Sequence, residues 1–181
     1  MDSNYWKNAY RDTWDMSAKR ENAIIKWIAD TTGLTAKSIG LGAGTKDFIS
    51  GSADENGHQK GDADLLVVGT NIYIEVTGPL SKSVPPDSPL WFRPDKFENA
   101  GMNIQNGHDT FFVHHCPSAK LWRVIHMDEA LFQRYQNGAF PIVTPTIRGR
   151  KETYVAVPSD DPCVLPLCYL RQYLANIKSS M

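Results

Sequence analysis

Apolar and polar positions change rhythm along this chain, and each change marks an element. Between residues 17 and 32, Ala23, Ile24, Trp27 and Ile28 recur at helical spacing, with Ser17 as the expected N-cap and Gly33 as the stop. Residues 38–41 read as a short strand before the segment GLGAGTKD, and residues 46–50 as another. The polar tract SGSADENGHQKG reads as an exposed loop. Residues 64–68 and 72–76 are apolar runs joined by Gly69, Thr70 and Asn71, the pattern of a hairpin. The Pro- and Ser-rich stretch from Thr77 to Pro94 predicts an irregular surface loop, and at that length loops more often carry function. Pro94 is placed as the first residue of a helix reaching residue 105. Strands follow at 110–115 and 121–127, then a short helix opened by Asp128, a strand at 153–157 and a last helix over 164–177. Strands and helices in that order predict an α/β layer built on a mixed sheet.

Acidic residues interrupt this pattern where a buried strand gains nothing from them. Asp62 and Asp64 precede the first hairpin strand, and Glu75 and Thr77 close the second. Side chains alternate across a strand, so Asp62 and Asp64 share one face, as do Glu75 and Thr77. A tight hairpin sets the start of one strand beside the end of the other, which brings Asp64 and Glu75 within reach of one cation. Two or three carboxylates completed by water suit Mg²⁺ or Mn²⁺, and such an ion can polarise a phosphate oxygen and activate water. The bland alternative is that Asp62 and Asp64 end a loop and Glu75 is an edge charge.

The order αβββαβ, Asp64 in ADLLVV and Glu75 in IYIEVT resemble the PD-(D/E)xK nuclease superfamily, whose members include restriction enzymes and Holliday-junction resolvases. The resemblance spans residues 17–127 and implies a restriction-endonuclease-like mixed central sheet flanked by helices. The chain then reads as a single domain, 1–181, with that core and a carboxy-terminal extension over 128–181. It implies a metal-dependent endonuclease acting on DNA, with Asp64 and Glu75 as metal ligands, Asp62 assisting, and Glu21 of the first helix as a supporting ligand. Where the motif puts its lysine this chain has Thr77. A threonine hydroxyl donates a hydrogen bond but carries no charge. Lys96, on the helix expected to pack over the sheet mouth, is the best substitute, with Lys82 and Lys60 behind it. Without a lysine at the site, the alternative is a catalytically degenerate fold that binds nucleic acid or protein. Nucleases of this kind often pair, which leaves a homodimer open.

Composition narrows the setting. Nineteen basic and twenty acidic side chains in 181 residues give a formal charge of −1, so a polyanion must be met by a local patch rather than by the overall field. Three cysteines without framework spacing exclude a disulfide scaffold, and no stretch has the length or polarity of a signal or membrane segment. A cytoplasmic protein without membrane partners is the expectation. Other clusters carry weaker signals. His114, Cys116 and His126 are conceivable zinc ligands across two strands, though no CxxC or HxxxH accompanies them. Trp91, Phe92 and Arg93 combine aromatic faces with charge, as base-stacking surfaces do, and equally suit a loop anchored to the core. Arg148, Arg150 and Lys151 form a basic patch. Trp6, Tyr10 and Trp14 recur every four residues, as in an additional amino-terminal helix.

Overall fold

A computed structural model of the chain describes residues 11–39, 63–147 and 149–180. The expected strand at 46–50, the polar loop with Lys60, and Asp62 lie outside the described residues, as do Trp6, Tyr10 and Arg148. The first helix, α1 (Arg11–Thr32), begins before the expected Ser17 cap, which sits inside it. The run from Ala18 to Glu21 is rich in straight-chain helix formers, and a serine in a helical turn costs only tenths of a kcal/mol. Its end is as expected: Gly33 takes φ +68° and donates to Ala29 O at 2.9 Å.

The strands β1 (Ala36–Ser38), β2 (Leu65–Val67), β3 (Ile72–Thr77) and β4 (Leu90–Phe92) follow, then α2 (Pro94–Gln105), β5 (Asp109–Cys116), β6 (Leu121–Met127) and α3 (Glu129–Gln136). Short strands β7 (Ile142–Val143), β8 (Thr146–Ile147) and β9 (Arg150–Lys151) lead to β10 (Tyr154–Val157), β11 (Leu165–Pro166) and α4 (Cys168–Ser180). The hairpin, the Pro94 start of α2 and the full extent of β6 match the sequence reading. Asp128 caps α3 by accepting from Leu131 N–H at 2.8 Å, an interaction worth about 1 kcal/mol. The expected irregular loop contains β4, and the final helix starts at Cys168 because Leu165 and Pro166 pair with Val124 and Arg123 of β6.

The central sheet has the order β1-β2-β3-β5-β6-β11. Among the described strands only β3 and β5 run parallel, and α2 makes the crossover that a parallel pair requires. β5 is buried along both faces, which is why its sequence is a continuous apolar run from Phe111 to Val113 rather than an alternation. Alternation on β3 sorts the side chains by face. Ile72, Ile74 and Val76 join Phe111 and Val113 in a core against Ile24 and Ile28 of α1 and Leu170 and Leu174 of α4. The opposite face, which carries Phe112, Ile125 and Met127, packs Phe97 of α2, Leu131 of α3 and Val155 and Val157 of β10. A second sheet, β4-β10-β7, covers that face. The carboxy-terminal third is therefore woven into both layers: α4 closes one face, β11 extends the central sheet and β10 completes the small one. The architecture is α/β, a mixed central sheet flanked by helices. Cys116, Cys163 and Cys168 are free thiols, and no helix among the described residues is long and apolar enough to cross a membrane.

Candidate functional site

The β2–β3 register pairs Leu65 with Ile74 and Leu66 with Tyr73, so one further step would set Asp64 opposite Glu75. The backbone ladder stops there and the Asp64 side chain continues it, Oδ2 accepting from Val76 N–H at 2.7 Å. Its carbonyl accepts from Ile39 N–H at 2.9 Å, so Asp64 is held from both neighbouring strands. Glu75 alternates with the core residues Ile74 and Val76 and projects from the other face, beneath α2. It is buried, with 7% of its surface exposed.

Lys96 is the third residue of α2. Pro94 fixes the helix start, and the neighbouring Phe97 is wholly buried, edge-on to Phe112 at 5.3 Å and stacked on Tyr135 at 4.5 Å. The helix is thus keyed to the sheet, and Lys96 Nζ lies 2.8 Å from Glu75 Oε2. The charge of the ammonium, and a hydrogen bond from it, both favour the ionised form of Glu75. Helix formation does not ask for a lysine here, because the first turn favours acids such as its neighbour Asp95. The site instead brings two carboxylates and one ammonium together at the edge of a desolvated layer.

The charge balance is strained. Burial pushes Glu75 up to about 8, the Asp64 carboxylate adds to the rise, and the Lys96 ammonium opposes it. Burial also raises Asp64, against the pull of Lys96 and the Val76 N–H. For Lys96, burial works against the charge, but Glu75 and Asp64 outweigh it and the group is held above its ordinary range. One ammonium cannot neutralise two desolvated carboxylates. A hard divalent cation fits that excess charge and the oxygen donors, and two carboxylates plus water and phosphate make up a common Mg²⁺ shell.

The remaining expected residues divide by position. Thr77 lies on the Glu75 face of β3, paired across to His114 of β5. Glu21 is not assembled with the pair, since the described residues hold no group of three or more His, Cys, Asp or Glu side chains placed to hold a metal. The reason is topological: Glu21 is buried in α1, one turn before Ile24 on the stripe that packs the opposite face of the sheet. Lys82 is exposed on the loop after β3. A zinc site is also ruled out for His126, which stacks on Phe111 at 4.3 Å on the α1 side, whereas His114 and Cys116 face the α2 side. Phe92 is core, and Arg93 is tied to Asp95 by a 2.7 Å ion pair. Arg150 and Lys151 are exposed on β9.

Arg20 and Arg123, which no motif singles out, shape the surroundings. The loop between β3 and β4 is pinned through its carbonyls. Arg20 donates to Gly78 O at 2.7 Å and to Pro79 O, Ser118 Oγ to Val84 O at 2.6 Å, Arg123 Nη1 to Pro86 O at 2.8 Å and Ser159 Oγ to Asp87 O at 2.7 Å. These fastenings make the loop a fixed wall beside the strand ends. Ser118 and Ser159 lie 34 and 72 residues along the chain from the carbonyls they hold, so local pattern carries no sign of them.

No family model matches the chain, and no curated protein matches it. Among solved structures, one described as D212, a nuclease from a fusselovirus, superposes with a TM-score of 0.49 and 16% identity, covering 90% of this chain and 88% of that one.

Proposed function

We propose that this protein is a Mg²⁺- or Mn²⁺-dependent phosphodiesterase of the PD-(D/E)xK type that cleaves DNA, with its lysine moved from the strand to the following helix. One observation carries the reading: Lys96 Nζ stands 2.8 Å from Glu75 Oε2, at the mouth where Asp64 also lies. In this reading Asp64 and Glu75 hold the ion, with Asp62 as a further acidic donor two residues before Asp64. A divalent ion bound there supplies Lewis acidity toward a phosphate oxygen and a lower pKa for water.

The chain's own groups do the rest. Asp64, held by the Val76 N–H and the Ile39 amide, presents its carboxylate in one orientation. Lys96 is buried enough that its charge is poorly screened, so it steadies negative charge developing on the phosphorus-bound oxygens and orients the attacking water. Thr77 supplies at most a hydrogen bond, which is why the ammonium must come from α2. The test is Glu75→Ala assayed on plasmid DNA with Mn²⁺ and Mg²⁺. Loss of metal-dependent cleavage with the fold retained is expected, and undiminished cleavage sinks the mechanism. Calorimetric Mn²⁺ binding without cleavage by the wild type would instead select the degenerate, binding-only form of the fold.

A further inference from the structure

A cleft of about 810 Å³ opens beside this site, and the phosphodiester chemistry leaves it unused. Its lining includes Thr77, Trp91, His114, Arg123 and Tyr154. Thr77 is two residues beyond Glu75 on the same face of β3, so the cleft begins roughly 7 Å from the carboxylates. One wall is the pinned loop described above. Another is aromatic: Trp91 turns out from β4 while Leu90 and Phe92 turn in, keeps 40% of its surface exposed, and stacks on Tyr154 with centroids 5.6 Å apart. The lining is mostly apolar, with His114 and Arg123 as its buried polar members. Among the described residues, His114 Nδ1 and Arg123 Nε are buried without a hydrogen-bond partner. Buried polar groups are nearly always paired, so two orphan atoms on residues that line one cleft leave hydrogen-bonding capacity there that a small side-chain shift would open to a ligand.

We propose that the cleft takes an unpaired nucleobase of the DNA strand, adjoining the phosphate at the Asp64–Glu75–Lys96 site, with the ring stacked on Trp91 and its polar edge turned toward Arg123 and His114. The proposal rests on the nuclease reading and names its substrate class: a strand whose base is single-stranded or turned out of the duplex. The volume is in the range of pockets that enclose ligands of nucleotide size. Trp91 offers a face any base can stack on. Arg123 can only donate, and His114 stays neutral because burial and the nearby Arg123 and Arg20 charges push it down to about 3. A neutral imidazole can offer one donor and one acceptor to a base edge. The near-zero net charge also suits recognition by stacking and hydrogen bonds rather than by a broad basic surface.

The test measures binding in Ca²⁺ in place of Mg²⁺, using fluorescence anisotropy of a single-stranded oligodeoxynucleotide and of the same strand with its bases replaced by abasic sites. The wild type should prefer the base-containing strand by roughly tenfold to a hundredfold. Trp91→Ala should bring that ratio close to one, and Trp91→Phe should keep most of it. Trp91 is 40% exposed and stacks on Tyr154, so Trp91→Ala should melt a few degrees lower but in one cooperative transition with native far-UV circular dichroism, and Trp91→Phe should melt close to wild type. Equal binding of the two strands by the wild type, or an unchanged ratio in Trp91→Ala, overturns the pocket. If cleavage in Mg²⁺ persists alongside that result, the nuclease reading survives without it; if neither strand is bound or cut, both fall.

Discussion

Replacing Glu75 by glutamine should abolish cleavage and, without metal, stabilise the protein at alkaline pH. Glu75 moves from an ordinary value near 4.5 to about 8 on folding, chiefly through burial and then through the Asp64 charge. The folded state therefore holds a proton that the unfolded chain has released between those two values, and stability must fall as pH rises through that window. Each pH unit between them corresponds to about 1.4 kcal/mol, which puts the ceiling on the loss at about 5 kcal/mol. Local relaxation and water penetration reduce what is realised, and a change of about 2–3 kcal/mol is a fair expectation. Glutamine keeps the shape and removes the titration. The assay is urea unfolding in EDTA at several values between about pH 4 and 9, which brackets the window. Wild type should lose stability toward the alkaline end, and Glu75→Gln should lose clearly less, the remainder coming from the raised Asp64. Saturating Mn²⁺ should restore the wild type at high pH and do little for the variant, since binding to the folded state adds stability by mass action. A wild-type curve that is flat in EDTA, or a variant that tracks it, refutes the strained-carboxylate account of this site.

Other perturbations separate chemistry from scaffold. Lys96→Met should lower the cleavage rate by about 10²- to 10⁴-fold while retaining Mn²⁺ binding in calorimetry; adding Thr77→Lys, which returns the charge to the strand, should recover part of the rate in the plasmid assay. Phe97→Ala should cost about 3–5 kcal/mol in chemical unfolding, because a ring stacked among Phe112, Tyr135 and Phe92 is lost from the layer that carries Lys96. Gly78→Ala should cost roughly 2–4 kcal/mol and lower the melting temperature. A Cβ there would stand 2.1 Å from the His115 carbonyl oxygen, a backbone atom that cannot step aside without opening the β3–β5 pairing. Metal affinity should rise as pH increases toward 8 and level off beyond it, because the ion must displace the Glu75 proton.

Much of the candidate site's geometry is legible in the sequence alone. Asp64 and Glu75 stand out because an acid has no reason to border a buried strand, and alternation plus a tight turn is enough to place them together. Lys96 is legible as a candidate because Pro94 marks the helix start and a crossover helix must pack back on the sheet. Glu21 misleads for the same local reason that makes it visible. An acid on the apolar stripe of a helix is unusual, but periodicity does not say which face of the sheet the helix covers. The zinc grouping fails through parity, since His114 and His126 sit on paired strands at positions that face opposite ways. The short strands β7, β8, β9 and β11 are too brief to set up any alternation and exist only through their partners.

What the residues determined by themselves is the set of local facts: where the chain turns, where Pro94 and Asp128 start helices, and which positions alternate toward the core. Those follow from sterics and solvation within a few residues. Tertiary packing decided which carboxylate met the ammonium, that the last third closes both layers, and that Arg20, Ser118, Arg123 and Ser159 fasten one loop into the wall of a cleft. These contacts join groups dozens of residues apart, and their energies depend on burial, a property of the assembled layers that a stretch of chain does not possess alone.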